Sequence, residues 1–312
     1  MTELRWRTIE RDAQGRLFGD EGLVERHIGR GEFRGLEFLH VEARRIINRV
    51  PPASRMPLTY TINAYRGCSH ACVYCFARPT HAFLDLGIGE DFDRIIVVKV
   101  NAVEKLRAEL APGRWAGHPI AMGTNTDPYQ RAEGKYHLTR GIIEVLAERA
   151  NPFSILTKST LILRDLDLLA AAARCTEVHT SFSIGTLDPL VWRLTEPGTP
   201  HPGQRVEAVA RLNAAGVPCG VLIGPIIPGL SDAEHQLRAV TKAAVGAGAT
   251  SIGSVVLHLR PGVREHWMAW LAEHRPDLLD AYERRYRGRS YLPAAERRAI
   301  TDTVTRLVAD AR

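Results

Sequence analysis

The sequence predicts an α/β protein, and two observations carry that expectation. Short apolar runs alternate with amphipathic stretches from about residue 60 to 260, and polar residues gather just after the apolar runs. No internal repeat at a solenoid period competes with that reading. In order, "LTYTINAY" reads as a strand, and "RIIVVKV" (Arg94 to Val100) is a continuous apolar run of the buried-strand type. "NAVEKLRAELA" sets Val103, Leu106 and Leu110 at helical spacing, and "HPIAMGTNT" gives the next short strand. "LTRGIIEVLAERA" carries Leu138, Ile142, Val145 and Leu146 on one helical face.

"FSILTKS", "VHTSFSI", "VPCGVLIGPIIP" and "SIGSVVLHL" read as further strands. Between them lie the helices "RDLDLLAAAAR", "QRVEAVARLNAAG", closed by Gly216, and "SDAEHQLRAVTKAAVGAG", opened by a cap at Ser231 or Asp232. Strand–helix alternation of this kind implies parallel strands joined by right-handed crossovers, in an open sheet or a full or partial barrel. Either way, chemistry collects at the C-terminal strand ends. The cysteine loop, Lys99 and Asn101, Thr124 to Gln130, Thr157 to Ser159 and Ser181 to Ser183 all fall there.

Residues 1 to about 55 read as a polar lead-in that ends in the linker "VPPASRMP", whose prolines continue neither a helix nor a central strand. After Arg260 the chain turns aromatic and basic and ends in a helix. The expected division is therefore an N-terminal extension (1–55), a core (56–260) and a mainly helical C-terminal extension (261–312).

Bulk composition narrows the function classes. A hydrophobic fraction of 45% with 24% charged residues is ordinary for a globular chain of 312 residues, and no apolar run is long enough to span a membrane. "MTELRWRTIERDAQG" lacks the apolar core of a signal peptide, so a cytoplasmic protein is expected. The formal charge of +6 favours an acidic partner such as nucleic acid only weakly, since arginine-rich composition also follows from a GC-rich genome. Five cysteines make a disulfide framework a poor reading, and Cys175 and Cys219 are expected as buried, inert thiols.

The other three cysteines fall within eight residues of "NAYRGCSHACVYCFARPTH": Cys68, Cys72 and Cys75. Loop cysteines in this pattern bind metal. Zinc would need a fourth ligand, from His70 or His81, yet no second ligand arm follows. Three thiolates also suit a cubane iron–sulfur cluster with one iron open to an outside ligand.

Cys68-x3-Cys72-x-Tyr74-Cys75 resembles the signature of radical S-adenosylmethionine (SAM) enzymes. The stretches "VVKVNAVEKLRAEL", "GTNTDPYQRAE", "ILTKSTLILRDLDLL", "SFSIGTLDPLVWRLTEPGTPHPGQRVEAVARLNAAG" and "PIIPGLSD" extend the likeness to the spore-photoproduct-lyase-like, DNA-repair-photolyase-related branch. The chain is similar in particular to an actinobacterial subgroup of unassigned substrate. The resemblance implies a partial (β/α)6-type radical SAM barrel with N- and C-terminal extensions. It also implies a 4Fe-4S cluster on Cys68, Cys72 and Cys75, SAM chelated to the open iron, and an electron donor such as flavodoxin or ferredoxin. Such enzymes cleave SAM reductively to a 5′-deoxyadenosyl radical that takes hydrogen from substrate; the cofactor carries the difficult chemistry.

Under that resemblance, Lys158 would meet the SAM carboxylate, and Thr126 and Asp127, or Asn101, its ammonium. Ser181 and Ser183 alternate with Phe182 and so share one face, expected to meet ribose or carboxylate. Tyr74 and Phe76 would lie near adenine, and Gly224 in "GVLIGPIIPG" would offer backbone groups to it. Arg66 and His70 are candidate donors to cluster sulfurs or plain exposed residues; Glu196 and Arg205 either clasp each other or reach the site.

One feature breaks the family pattern. Spore photoproduct lyase carries a hydrogen-donating cysteine just before its Ser-Asp turn, and here that run is Gly123-Thr124-Asn125-Thr126-Asp127. Without that cysteine the hydrogen would return through SAM, through a tyrosine such as Tyr129, or not at all. The substrate classes open at this level are nucleic acid, through Arg284, Arg285, Arg287 and Arg289 with Tyr286 and Tyr291 as base-stacking partners, or a small metabolite or peptide. A metal-containing nucleic-acid-binding protein without catalysis is the reading from another class.

Overall fold

The structure, a computed structural model, describes residues 6–7, 25–51, 54 and 57–312. The start of the chain, read above as lacking a signal-peptide core, and half of the proline linker lie outside the described residues. The chain divides into two compact units: residues up to 69 with 80–157 and 161–179, and residues 70–79 with 158–160 and 180–312.

The first unit holds β1 (Trp6–Arg7), β2 (Glu25–Ile28), β3 (Glu37–Ala43), β4 (Ile47–Arg49), β5 (Tyr60–Ile62), β6 (Tyr65–Arg66), β7 (Ile95–Lys99), β8 (Ile120–Met122) and β9 (Phe153–Thr157). Its helices are α1 (Glu90–Arg94), α2 (Ala102–Glu109), α3 (Glu133–Tyr136), α4 (Leu138–Glu148) and α5 (Leu166–Ala173). β3 pairs in parallel with β7 and antiparallel with β1 and β2, while β6 closes the far side of β7. β5, β8 and β9 run parallel, with Tyr60, Ile120 and Phe153 level, and β4 pairs antiparallel with β5.

That register brings Asn63, Gly123 and the Thr157 end of β9 to one edge, where a cavity is lined by Asn63, Gly123, Thr126, Pro128 and Thr139 among others. Helix α4 packs the expected apolar face, and its Ile142, 1% exposed, contributes about 2 kcal/mol by burial alone.

The polar lead-in is a misreading for residues 25 to 50. Phe38, Leu39, Val41 and Ala43 are buried in β3, a central strand of its sheet, and Ile46 follows them inside. The polar positions Glu37, His40 and Glu42 mark a strand with one wetter face.

The second unit takes β10 (Val178–Ser183, from Thr180 onward), β11 (Cys219–Ile226) and β12 (Ile252–Val256) in parallel order. Its helices are α6 (Pro189–Thr195), α7 (Pro202–Ala214), α8 (Glu234–Gly246), α9 (Val263–His274), α10 (Leu279–Arg285) and α11 (Ala294–Ala311). Asp188 caps α6, accepting from the amides of Leu190 and Val191, with Pro189 in the first turn. The expected cap of α8 fails. The helix starts after Ala233, because Ser231 Oγ accepts from Ile227 N (2.9 Å) and Asp232 from Gly229 N (2.7 Å), closing the preceding turn instead.

Three of the C-terminal aromatics are core, while Tyr291 is 40% exposed. Trp267, Tyr282 and Tyr286 are fully buried with Leu257, Leu259 and Leu271. The Tyr282 and Tyr286 hydroxyls donate to Pro228 O and Leu257 O, each at 2.8 Å. Tyr286 therefore cannot stack on a base, contrary to the reading above. Cys219 is buried as expected, and burial pushes its thiol up to about 11, whereas Cys175 is exposed in the turn after α5. No described helix is long and apolar enough to cross a membrane.

Candidate functional site

In the first unit the arm leading to Cys68 is fastened from three directions. Gly67 sits at φ 79°, and a Cβ there would come within 2.7 Å of Ile95 O, so glycine is required. Its carbonyl accepts from Thr126 Oγ1 (2.7 Å) and Gln130 Nε2 (2.9 Å), Gln130 Oε1 accepts from Ser69 N (3.0 Å), and Cys68 N donates to Phe92 O (2.9 Å). Asp127 Oδ1 accepts from Tyr129 N (2.9 Å) and Thr157 Oγ1 (2.7 Å), the turn that an Asp before proline favours. Gly123 must also be glycine, since a Cβ would lie 1.9 Å from Leu156 O.

His81 packs against Gly67 and is 0% exposed, with Nε2 donating to Ile95 O at 3.0 Å. Burial pushes its imidazole down to about 4. The unfolded chain therefore binds this proton near pH 6.5 and the folded chain only near 4, so the stability is whole above pH 6.5 and drains as pH falls through that window. A tenfold difference in proton affinity between the two states is worth about 1.4 kcal/mol. Urea unfolding at pH 7, 5.5 and 4.5 is expected to show a flatter decline in His81→Gln than in the wild type; parallel declines would refute it.

Two further sequence candidates are committed elsewhere. Asn101 accepts from Ala43 N (2.8 Å) and donates to Ala43 O (3.1 Å), pinning α2 to β3. Tyr129 is 1% exposed and its hydroxyl donates to Asp165 at 3.1 Å. It belongs to a buried network in which Arg164 pairs with Asp165 (2.9 Å) and Glu133 (2.8 Å), Arg140 with Asp165 (3.0 Å), and Tyr65 donates to Glu133 (2.5 Å). In this setting Tyr129 ties the turn after Asp127 to Asp165.

The second unit centres on Glu196, which is 4% exposed. Its Oε1 takes Lys158 Nζ at 2.9 Å and the Tyr74 hydroxyl; its Oε2 takes Arg205 at 2.6 Å. Burial would raise this carboxyl, but Arg205 and Lys158 outweigh it and hold Glu196 far below the usual carboxylate range. Lys158 also donates to Ser183 Oγ (2.6 Å), and Ser183 donates to Gly224 O (2.6 Å). Lys158, Ser183, Gly224 and Tyr74 are thus brought into one network, while Ser181 lies beside Gly220 and Phe76 packs on His258, ring centroids 5.7 Å apart.

Tyr74 stands between Cys72 and Cys75, so the Glu196 bond fixes the turn that carries both thiols. Arg78, 1% exposed, donates to the Cys72 carbonyl from Nε (3.1 Å) and Nη2 (3.0 Å), setting a fixed positive charge beside that loop. His70 is buried and its carbonyl accepts from Gly198 N at 3.0 Å; Arg66 donates to Thr80 O at 2.9 Å. Gln130 falls in the strand-end run Thr124 to Gln130 singled out above, whereas the coupling of Glu196 to Lys158 escaped the sequence reading because it joins residues 38 apart.

Comparisons with known proteins agree with this architecture. Residues 62–239 match the family model described as the Radical SAM superfamily. The chain is 44% identical over 291 residues, 93% of its length and 85% of theirs, to uncharacterized proteins of Mycobacterium tuberculosis and Mycobacterium bovis. It is 31% identical over 202 residues to a protein of Methanocaldococcus jannaschii, covering 64% of this chain and 71% of that one. Among solved structures, a spore photoproduct lyase variant with bound AdoMet and dinucleoside spore photoproduct superposes with TM-score 0.61 at 19% identity, over 85% of this chain and 76% of that one. A second spore photoproduct lyase structure, complexed with dinucleoside spore photoproduct, gives 0.61 at 18%, over 88% and 79%.

The fold and the family match define a radical SAM protein. The chain belongs to the radical SAM superfamily, with the spore-photoproduct-lyase-like fold and the superfamily's cofactors, a 4Fe-4S cluster and SAM. The residue types fit that cluster: the three cysteines are the soft thiolate donors it needs, and Cys68 and Cys72 are buried.

Proposed function

We propose that this protein cleaves SAM reductively and abstracts hydrogen from an unactivated C–H bond of its substrate, with Cys68, Cys72 and Cys75 holding the cluster. When bound, the reduced cluster and SAM supply a 5′-deoxyadenosyl radical; an external one-electron donor of the flavodoxin or ferredoxin kind reduces the cluster. The observation that carries the reading is Lys158, an ammonium held on Glu196 and Ser183 in a network that also fixes Tyr74 of the cysteine loop.

Lys158 receives the SAM carboxylate by sharing one of its three donors, while Glu196 keeps the side chain extended. Ser183 and the Gly224 carbonyl offer polar contacts to the same ligand. Thr126 and Asp127, each already bonded within the protein, hold the cysteine arm and its adjoining turn in place. Lys158→Met is expected to weaken SAM binding about 10- to 150-fold, as loss of a hydrogen bond to a charged group would, with cluster absorbance unchanged. Unchanged SAM affinity would remove Lys158 from the site.

Nucleic acid is the proposed substrate class. Arg284, Arg287 and Arg289 are exposed beside the half-buried Arg285, which pairs with Glu296 at 3.0 Å. The superposed lyase structures hold a dinucleoside, and a relative 25% identical over 199 residues is named a Radical SAM Nalpha-GlyT isomerase. Salt-dependent retention on DNA is the expected result and would support this class, because phosphate contacts release counterions. No retention at low salt would turn the reading to a small metabolite or peptide.

A further inference from the structure

Glu25, His27 and His40 lie together on one face of the β2–β3 pair. The register sets Glu25 opposite His40, and His27, two residues along β2, projects to the same side as Glu25. Glu25 Oε2 is 2.9 Å from His27 Nε2 and 3.9 Å from His40 Nδ1, and the two imidazole centroids are 4.3 Å apart. One ligand atom from each residue falls within 4.8 Å of the others. A zinc ion with bonds of about 2.0–2.1 Å needs neighbouring ligand atoms roughly 3.3 Å apart, so small side-chain rotations bring all three onto one ion.

Two details separate this group from a chance surface ion pair. His40 Nε2 lies 2.8 Å from the Tyr136 hydroxyl, whose ring packs edge-on against His40 and Phe38. That contact fixes the imidazole with Nδ1 turned toward Glu25, the outer hydrogen bond that ligating histidines characteristically make. His27 Nε2 is itself buried and meets Glu25 without the alignment of a hydrogen bond, leaving a lone pair for a metal. Arg26, which alternates to the opposite face, pairs with Glu37 at 2.6 Å and so does not compete for Glu25.

We infer that Glu25, His27 and His40 form a binding site for a divalent transition-metal ion, zinc first, that uses no residue of the cysteine loop. Two imidazoles and one carboxylate leave a fourth position for water, and the ion would tie the edge strand β2 to β3 and, through His40, to Tyr136.

The test titrates chelator-washed, cluster-loaded protein with Zn2+ by calorimetry and with Co2+ in the visible region. One equivalent beyond the cluster metal is expected, with a rise in Tm that EDTA reverses. His27→Ala and His40→Ala should each weaken that equivalent at least ~100-fold, and Tyr136→Phe about 10- to 100-fold, with cluster iron unchanged. Glu25→Gln, at an exposed position, gives the same reading if a histidine variant fails to fold. Cys72→Ala should lose the cluster and keep the zinc equivalent. No extra equivalent, or one that survives in the Glu25, His27 and His40 variants, would overturn the site.

Discussion

A Glu196→Ala protein is expected to lose about 3–5 kcal/mol of stability, the cost of removing one partner from a buried ion pair. The reason is local. Glu196 meets Lys158 at 2.9 Å and Arg205 at 2.6 Å, and Arg205 is 0% exposed. Without the carboxylate, two cations stay in the interior, and the Tyr74 hydroxyl loses its acceptor. Such a loss is a large part of the total of about 5–15 kcal/mol typical of a folded protein, and lowers Tm on the order of 10 °C. Arg205→Met in the same background should recover part of it by withdrawing one unpaired charge.

The pH dependence has a definite sign. Glu196 titrates lower folded than unfolded, so its stabilisation is whole above pH 4.5 and is lost as pH falls through and below that value. Differential scanning fluorimetry between pH 7 and 3.5 checks both effects. A Tm for Glu196→Ala within a degree or two of the wild type would contradict the account of this network.

Replacing Cys68, Cys72 or Cys75 by alanine is expected to produce the larger functional loss: no stable cluster, and no detectable SAM cleavage. Each thiolate is one of three ligands, and the fourth iron must stay open for SAM, so no spare protein ligand compensates. The change should leave Tm of the cluster-free protein nearly untouched, because the loop is held by backbone contacts at Gly67, Cys68 and the Cys72 carbonyl. Iron and sulfide analysis beside thermal melts separates the two. Iron retained at wild-type level in a Cys72→Ala protein would contradict the ligand assignment.

The strands and helices legible in advance were those with a strong period. "RIIVVKV" became β7, with Ile96, Val97 and Val98 all at 0% exposure, and "LTRGIIEVL" became α4. β3 escaped because three of its seven residues, Glu37, His40 and Glu42, are polar and not buried, and its parallel partner β7 is far away in sequence, which no local pattern encodes. Tyr286 was misplaced for the converse reason: arginines on both sides read as a basic surface, while the ring is buried and its hydroxyl reaches Leu257 O. Of the candidate site, the cysteine spacing and the strand-end positions were readable. The pairing of Lys158 with Glu196 was not, since ion-pair partners across 38 residues follow from tertiary packing alone.

The most direct test is product analysis on anaerobically reconstituted protein reduced with dithionite in the presence of SAM. The account predicts a brown protein that releases 5′-deoxyadenosine, with none formed when Cys72 is alanine. A colourless protein holding one tightly bound zinc at the cysteine loop and forming no 5′-deoxyadenosine would contradict it, and would favour a metal-containing nucleic-acid-binding protein without catalysis.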